Sequence, residues 1–401
     1  MAINTLAYAE KFTGELDKMY VQEAVTGFLT DNILRAKFVG AKTVIIPDVE
    51  MQGLADYDRD TGFIRGAITV AQQPFTMTRD RGRTLEIDNE DIDEIGVSSF
   101  AGQVLSEFVR EHVVPETDAY TISKLSGVAN TQGHLLQGGV VTTPYAAFLD
   151  LVSSVRNFVG YSEELVCFVH PSIYKAFQTS TEISKQIVPS DFKKGEINLK
   201  VGKIDGVALL PVTADRMYTA YDFLDGSTTG EEDGGFAPQT AAMAIYMLVM
   251  PKKAASLVEK SKRMRVFTPD KNLTKDAYKF DYRIYFDVFV KKSKKNSIWA
   301  WVAPSITFGT QPADTSKVAG SISGSLTSAA TASDSSTVTY QWYQADDATG
   351  TNPVMIAGKT SASMVIPTTL TAGLYYYFVK ATAGLATVMS SNVATVTVTV
   401  S

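Results

Sequence analysis

The stretch that decides the fold is SSFAGQVLSEFVREHVVPETDAYTISKLSG (Ser98–Gly127). Its apolar residues recur at spacings of three and four, which is the period of a helix with one apolar face. They are Ala101, Val104, Leu105, Phe108, Val109 and Val113. Ser98 or Ser99 can cap the start of this helix, and Gly127 can end it. Because Pro115 lacks a backbone donor, we expect the helix either to kink there or to restart with Pro115 in its first turn.

The composition is that of an ordinary soluble globular chain. The 401 residues are enough for two or three domains, and 45% of them are hydrophobic. The net charge of −6 gives no general attraction for nucleic acid. Cys167 is the single cysteine, which excludes an internal disulfide, and its apolar neighbours predict that it is buried. The N-terminal sequence contains no secretory signal, and the most apolar run, Ala241–Met250, is too short to cross a bilayer. We therefore expect a protein that is made in the cytoplasm and has no membrane partner.

The first ninety-five residues predict two extensions. Residues 1–40 carry helical patterns that are too short to be stable alone in water, so they predict an arm docked on something else or a plain helix pair on its own domain. Lys42–Val49 predicts a strand, Asp56–Gly62 a polar turn, and Ile68–Asp88 a β-branched second strand. Together these predict a long hairpin that must pack on a neighbour to be stable.

After Gly127, strands and helices are mixed without a regular strand–helix–strand repeat. This predicts an α+β fold and argues against a doubly wound sheet. The sequence predicts a helix in 145–158. It predicts that residues 164–177 form a strand, a turn at His170–Pro171 and a short helix. Further along, we expect two strands around a turn at Asp205–Gly206, a surface loop at 226–235, and strands in 241–250 and 278–292.

The composition changes at residue 304. Residues 304–401 are rich in serine, threonine, alanine, glycine and valine, and short alternating runs recur, which predicts a β-sandwich. Trp342 is the expected core anchor. Tyr375–Tyr377 follow Gly373 at the place where a tyrosine corner would sit.

Residues 1–303 resemble the major capsid proteins of tailed bacteriophages, which have the HK97-type fold. The stretches that carry the resemblance are RDRGRTLEIDNEDIDE (Arg79–Glu94), VVPETDAYTISKLSG (Val113–Gly127), VCFVHPSIYKAF (Val166–Phe177), KVGKIDGVALLPV (Lys200–Val212) and KFDYRIYFDVFVKKSKKNSIW (Lys279–Trp299). The resemblance implies an N-arm at 1–40, an extended loop at 41–95, a spine helix at 96–130, a mainly axial domain at 131–250 and a closing peripheral domain at 251–303.

Residues 304–401 resemble a bacterial immunoglobulin-like (Ig-like) domain. YQWYQ (Tyr340–Gln344), IAGKTS (Ile356–Ser361) and GLYYYFVKA (Gly373–Ala381) carry this resemblance. It implies a decoration domain on the outside of the particle. Such a domain would either bind host-surface or mucosal glycans weakly, with many copies raising the avidity, or stabilise the particle without a ligand.

The resemblance to capsid proteins implies self-assembly into hexamers and pentamers of an icosahedral head shell in a virion. The implied partners are other copies of this chain, a portal, packaged double-stranded DNA held by non-specific contact, and a separate scaffolding protein or none, since no propeptide precedes the arm. Three alternatives stay open: an encapsulin-type nanocompartment shell, a bacterial surface adhesin, and a hydrolase. The terminal sandwich argues against the first, the missing export signal against the second, and the lack of a catalytic set against the third.

No catalytic, cofactor or metal site is predicted. Asp56, Asp58 and Asp60 have the spacing of the first calcium-loop ligands, but Thr61 stands where glycine is needed and Ala67 where the bidentate glutamate belongs, so a hairpin tip is favoured. The acidic run at 88–94 is expected to be a solvated helix start or a partner for basic groups, in preference to a cation site. Its members are Asp88, Glu90, Asp91, Asp93 and Glu94.

The histidines do not predict catalysis. His112, His134 and His170 lack a second ligand at metal spacing. The sequence contains no GxSxG, GxGxxG or P-loop motif, so an enzyme is disfavoured and no cofactor is expected.

Three basic clusters have two interpretations. Lys260, Lys262, Arg263 and Arg265, and likewise Lys291, Lys292, Lys294 and Lys295, could contact DNA phosphates or lie in solvated loops or intersubunit salt bridges. The latter is favoured, because a strongly charged lining would hinder packaging. For the cluster Arg79, Arg81 and Arg83 beside Asp80, pairing with an acidic stretch of a neighbouring subunit is the hypothesis we prefer.

Overall fold

The computed structural model describes residues 24–32, 37–39, 42–88, 106–138, 144–179, 188–194, 197–272, 274–383, 386–389 and 392–400. Within these ranges the fold is α+β and rich in strands, as predicted. The α-helices are α1 (Val114–Thr131), α2 (Pro144–Val159) and α3 (Pro171–Thr179). The strands are β1 (Lys37–Val39), β2 (Thr43–Met51), β3 (Ile68–Thr76), β4 (Arg79–Asp88), β5 (Leu135–Gln137), β6 (Leu165–Val169), β7 (Val188–Lys194), β8 (Ile197–Ile204), β9 (Val207–Pro211), β10 (Tyr221–Phe223), β11 (Phe236–Pro238), β12 (Ile245–Pro251), β13 (Ala255–Phe267), β14 (Ala277–Val290), β15 (Trp299–Val302), β16 (Ile306–Thr310), β17 (Thr315–Val318), β18 (Ser325–Thr327), β19 (Ala329–Ala332), β20 (Thr339–Ala345), β21 (Val354–Met355), β22 (Ser363–Val365), β23 (Gly373–Ala383), β24 (Ala386–Met389) and β25 (Ala394–Thr399).

A seven-stranded sheet forms the centre, in the order β5-β15-β12-β6-β9-β8-β7. All side chains of β6 and β12 are buried, because the sheet is covered on both faces. Val166 and Phe168 pack toward α1 on one face. Cys167 and Val169 alternate with them and pack toward α2 and α3 on the other. The predicted burial of Cys167 is confirmed, and burial raises the pKa of its thiol.

A three-stranded sheet, β13-β14-β4, covers the other side of α1. Phe280, Tyr282, Ile284 and Phe286 on β14 belong to the same core as Ile122 and other buried residues of α1. The helix therefore lies between two sheets and is buried on more than the one apolar face that the sequence predicts.

The helix differs from its prediction at both described ends. A π-helical turn, Val109–Val113, runs directly into α1, where Pro115 lies in the first turn. The wider turn accommodates the missing donor of Pro115, so the helical backbone runs from Ser106 through Pro115 without the predicted restart. The predicted end at Gly127 is wrong: the helix continues to Thr131 and stops before Gly133, which has φ +73°. The predicted start at Ser98 or Ser99 lies outside the described residues.

Residues 24–32 fold onto the chain's own body. Phe28 and Leu29 are fully buried in the core around α1, and the Phe28 ring stacks on Phe168 at 6.1 Å. The short helical turn here is 3₁₀, at Gly27–Asn32. For residues 24–32, the prediction of an arm docked elsewhere is wrong, and the alternative prediction of packing on the chain's own domain is correct. The apolar side chains of this segment fill the chain's own core. Residues 1–23 lie outside the described residues.

The hairpin is confirmed, with one correction. Strands β2 and β3 pair from Thr43 opposite Thr76 to Met51 opposite Ile68, and β1 adds to the outer side of β2. The expected continuous strand over 68–88 is wrong, because the chain changes partner at Met77 and Thr78. From Arg79 onward, β4 pairs with β14 and belongs to the three-stranded sheet.

The smaller expectations for residues 164–235 are also confirmed. His170 accepts a hydrogen bond from the Ser172 backbone N–H through Nδ1, at 3.3 Å, at the start of α3. The turn between β8 and β9 has positive φ at both Asp205 (50°) and Gly206 (76°), as a type I′ hairpin turn requires. Residues 226–235 form a mostly exposed loop, as predicted.

The described residues after 305 form only strands and connecting turns. One sheet has the order β17-β25-β23-β20-β21, with β24 beside β23, and the pairs β16-β19 and β18-β22 accompany it. Trp342 is fully buried, as predicted, and its Nε1–H donates to the Ser361 carbonyl at 2.9 Å. The Tyr375 hydroxyl donates to the Thr371 carbonyl at 3.1 Å, four residues upstream, where the sequence predicts a tyrosine corner.

Candidate functional site

The distal half of the β2–β3 hairpin exposes large apolar side chains. Phe63 is 87% exposed and Ile64 66%, and the Tyr57 and Phe63 rings contact each other at 4.8 Å. The other exposed apolar residues of this half, which we call the hairpin tip (51–70), are Met51, Leu54, Ile68 and Val70. A group of exposed large apolar side chains in one segment is typical of a site of interaction with another molecule.

A short hydrogen-bonded turn closes the tip. The Asp58 carboxylate accepts hydrogen bonds from the backbone N–H groups of Asp60 (2.6 Å) and Thr61 (3.0 Å), and Asp58 and Gly62 form a β-bridge. These donors hold the pKa of Asp58 below its usual value, that of Thr61 having the larger effect. The predicted hairpin tip is confirmed by this bridge and by the turn, in which both backbone N–H groups donate to Oδ1 of Asp58.

The proximal half of the hairpin is buried against the three-stranded sheet. Val44, Ile46 and Met77 form a small core with Val258, Tyr285 and Phe289, which lie on the outer face of β13 and β14. We call this cluster the hairpin root. It fixes the direction in which the tip projects.

A buried aspartate joins the root to the central helix. Asp287 on β14 is fully buried and accepts hydrogen bonds from Thr78 N (2.9 Å), Thr78 Oγ1 (3.0 Å) and Tyr120 Oη (2.8 Å), and from Lys124 Nζ. Burial raises the pKa of Tyr120, so its hydroxyl stays protonated and donates. The carboxylate therefore ties the end of the hairpin to α1 and to β14.

A second buried aspartate holds the N-terminal segment. Asp118 on α1 accepts hydrogen bonds from Val25 N (3.0 Å), Thr26 N (2.9 Å) and Thr26 Oγ1 (2.6 Å), and from Arg216 Nη1 (3.1 Å). The N-terminal segment, α1 and the 3₁₀ turn that follows β9 thus meet at one carboxylate. Sequence reasoning missed both aspartates; the available signal was a single acid within an apolar run, as in YFDVFV (285–290).

The cluster Arg79–Arg83 is used inside the chain. Arg81 forms two bonds with Glu116 on α1 (2.7 and 3.2 Å) and donates to the carbonyls of Leu224 and Gly235. Arg83 donates to the Glu232 carbonyl at 3.1 Å. Arg79 lies over the Phe223 ring, 3.4 Å from its centroid. Arg81 therefore pairs within the chain, where it anchors the 224–235 loop to β4 and α1, whereas intersubunit pairing of Arg79 and Arg83 stays a prediction.

The other basic runs lie in different environments. Arg263 and Arg265 lie on strand β13 and are exposed, so the expected loop is wrong for this run. Lys292–Ser297 is a 3₁₀ turn in which Lys294 lies 3.8 Å from Glu163, a weak salt bridge within the chain. The remaining acidic candidate, Asp88, ends β4 opposite Ala277, and residues 89–94 lie outside the described residues.

The three histidines lie in different environments. His112 is exposed and contacts the Phe108 ring, and His134 stacks on Trp299 at 4.0 Å. Burial lowers the pKa of His170. Among the described residues, no group of three or more His, Cys, Asp or Glu side chains is placed to hold a metal ion. A membrane-crossing helix is likewise not found in the part of the chain that the structure describes.

Comparison with known proteins gives matches in structure but not in sequence. No protein-family model matches the chain, and no curated protein matches it significantly. The mature capsid of bacteriophage PhiM1 matches with TM-score 0.44 and 13% identity, over 66% of this chain and 82% of that one. The capsid of cyanophage P-SCSP1u matches with TM-score 0.43 and 14% identity, over 67% and 85%. A structure from Mycobacterium phage Che8 matches with TM-score 0.42 and 11% identity, over 65% and 84%. All three come from phages.

Proposed function

We propose that this chain is the structural subunit of a closed protein shell, the icosahedral head of a tailed phage, and not an enzyme. The observation that carries the proposal is the hairpin: its root is locked to the body by Asp287, while its tip exposes residues such as Phe63 and Ile64. Covering an apolar surface that projects from the body with another molecule is favourable, because it removes that surface from water.

Identical copies can cover one another's tips in a repeating contact. A tip that lies on a different patch of the next copy makes a head-to-tail contact, and such contacts generate closed rings when the rotation between copies closes. Rings of six and five copies would build the shell. Double-stranded DNA inside, held without sequence reading, together with a portal and a separate scaffolding protein, completes the proposed assembly.

The proposed division of the chain follows the resemblance found in the sequence. Residues 1–303 form an HK97-type capsid domain, with the extended loop at 41–95 and the spine helix at 96–130. The support is the arrangement of a projecting hairpin, a long helix between two sheets, and a strand β4 that returns from the hairpin to the body. Since residues 24–32 pack in the core, any free arm is restricted to residues before Ala24.

Residues 304–401 form, in this proposal, an Ig-like decoration domain on the outside of the shell. Supporting features are the sheet order β17-β25-β23-β20-β21, the buried Trp342 and the bond from Tyr375 to Thr371. Weak binding of host-surface glycans and ligand-free stabilisation of the shell remain the two proposed roles for this domain.

Electron microscopy of the purified protein tests the shell. We expect closed particles or rings from the unaltered chain, and monomers from Phe63→Ser/Ile64→Ser with an unchanged melting temperature. The control Val354→Ser/Met355→Ser removes exposed apolar side chains from β21 and should assemble normally. Particles from the tip variant, or monomers of the unaltered chain at high concentration, would contradict the proposal; the latter result would favour an adhesin or an enzyme.

A further inference from the structure

Two neighbouring turns at one end of the central sheet carry a group of lysines. The first turn joins β12 to β13, and the second, the 3₁₀ turn Lys292–Ser297, joins β14 to β15. The turns lie side by side because Ala255, at the start of β13, pairs with Val290, at the end of β14. We call this group the lysine patch; its members are Lys252, Lys253, Lys291, Lys292, Lys294 and Lys295.

Two glutamates between α2 and β6 bind one lysine from each turn. Oε2 of Glu164 lies 3.5 Å from Nζ of Lys252, and the Glu164 carbonyl accepts a hydrogen bond from the Lys252 backbone N–H at 2.9 Å. Oε1 of Glu163 lies 3.8 Å from Nζ of Lys294 in the other turn. Because these two acids are adjacent in the chain, the lysines of both turns belong to one surface.

The glutamates balance only part of the charge of the patch. Six lysines against two glutamates leave four positive charges in excess, although the whole chain has a net charge of −6. Within the described residues, no ion pair involves Lys253, Lys291 or Lys295. Like charges gathered in this way repel one another, so an anionic partner would stabilise the patch.

The patch lies at the end of the central sheet that is farther from residues 304–401. β12 ends at Pro251 beside the patch, and β15 starts there at Trp299, because the two strands are antiparallel. At the opposite end of the sheet, Ala303 and Ile306 share a core with Tyr246 of β12. The seven residues of β12 separate the two ends by roughly 23 Å. In the proposed shell residues 304–401 are on the outside, so the patch lies at the end of the sheet away from the outer surface.

Lysine is suited to a contact with DNA that holds the backbone without fixing it. Its ammonium group is a compact, hydrated charge on a flexible stem, whereas arginine binds phosphate in a rigid two-bond geometry. Contacts that depend on charge alone let a protein slide along DNA. Lysines that are partly balanced by glutamates therefore attract DNA without holding it so strongly that it could no longer move during packaging.

On the basis of the proposed shell function, we infer that the lysine patch contacts the phosphate backbone of the enclosed double-stranded DNA. Lys253, Lys291 and Lys295 supply most of the attraction, since Lys252 and Lys294 each have a glutamate partner. Each contact is weak, and many copies of the patch in one shell act on the same DNA. Because phosphates carry no sequence information, the patch does not select a base sequence.

Binding of a short labelled DNA duplex, followed by fluorescence anisotropy at low salt, tests this contact. The protein is the full-length chain as monomers isolated by size exclusion, so that the patch is accessible to added DNA. Lys253→Gln/Lys291→Gln/Lys295→Gln should weaken binding about tenfold or more. The slope of log K against log salt concentration should become less steep by about 3, because each lost phosphate contact contributes about 1. Duplexes of unrelated sequence should bind equally.

Two matched variants serve as controls. Lys42→Gln/Lys175→Gln/Lys271→Gln removes the same charge at exposed positions elsewhere and should bind DNA as the unaltered chain does. Arg263→Gln/Arg265→Gln changes the exposed basic run of β13 and should also bind normally. Melting temperatures identify any misfolded variant. If the triple patch variant misfolds, Lys253→Gln and Lys295→Gln singly take its place, each with a slope less steep by about 1.

Several outcomes overturn the inference. They are unaltered monomers that do not bind the duplex, a patch variant that binds it as well as the lysine control does, and a loss of binding in Arg263→Gln/Arg265→Gln alone. A patch variant with unchanged DNA binding whose copies no longer associate also overturns it, because the lysines would then bind an acidic segment of another copy.

Electron microscopy separates this inference from the proposed shell. The patch variant should still form closed particles, because the patch is not needed for association. Particles from an unaltered chain whose monomers do not bind DNA contradict the patch and leave the shell intact. DNA binding that depends on the patch, without particles from the unaltered chain, contradicts the shell and leaves the patch as a DNA site.

Discussion

The root and the tip of the β2–β3 hairpin are built from the same two strands, but they are covered differently. At the root, Ile46 is 1% exposed and packs on the three-stranded sheet; at the tip, Ile68 is 68% exposed. The two isoleucines lie in one hairpin but on opposite faces of it, because Ile68 pairs with Met51, five residues beyond Ile46. The comparison teaches that strand pairing alone does not bury a ribbon's side chains, so half of this hairpin contributes to the fold of one chain and half is left for a partner.

The largest expected effect comes from shortening one isoleucine at each end. Ile46→Ala should lower the free energy of unfolding by about 3 kcal/mol, because it leaves a cavity in the root. Ile68→Ala should change it by no more than about 0.5 kcal/mol, since the side chain is solvated in the monomer. Urea denaturation measures both. If the two changes were equal, the root would not be the folded half of the hairpin.

The link between the root and α1 gives a smaller expected effect. Tyr120→Phe removes one hydrogen bond to Asp287 and should cost about 1.5 kcal/mol, since Thr78 and Lys124 still bind the carboxylate. Association of the folded protein should be unchanged, because the tip is untouched. Thermal unfolding and sedimentation measure the two quantities. A loss of association at unchanged stability would show instead that this hydroxyl acts in the contact between copies.

The smallest effect is confined to the turn at the tip. The pKa of Asp58 is lowered, so its carboxylate stabilises the turn above its unfolded pKa of about 3.9, and this contribution disappears as the pH falls through the lowered value. The Thr61 amide resonance, followed by NMR in the Phe63→Ser/Ile64→Ser variant, should therefore move only at strongly acidic pH. Asp58→Ala should abolish this transition. A midpoint at or above about 3.9 would contradict the assigned hydrogen bonds.

The sequence predicts the elements that follow from local periodicity and turn chemistry. The helical period around Val109 and Val113, the buried run at 165–169 and the paired positive φ angles at Asp205 and Gly206 all depend on neighbours in the chain. The buried Trp342 was predictable for a related reason, because an aromatic residue in an alternating strand has one inward face.

The interactions that the sequence does not predict join residues that are far apart along the chain. Arg81 binds acceptors that are 35, 143 and 154 residues away, and Asp287 binds Thr78 across 209 residues, so no local pattern contains either interaction. The end of the helix was predicted wrongly at Gly127, because glycine is the residue that most often ends a helix. Of the two glycines, Gly133 and not Gly127 has the left-handed φ that such a helix end requires. The sequence does not reveal that the chain moves from pairing with β2 to pairing with β14 after β3, because Ile68–Asp88 is rich in strand-forming residues throughout.

That partner change has a mechanical consequence. Met77 and Thr78 connect the last residue of β3 to the first residue of β4, and both are held in place: Met77 is buried in the root, and Thr78 donates two hydrogen bonds to Asp287. Over a ribbon of roughly 30 Å, a rotation of about 10° at this connection would displace the far end by about 5 Å. These few contacts at the base therefore determine where the exposed side chains at the far end stand relative to the body.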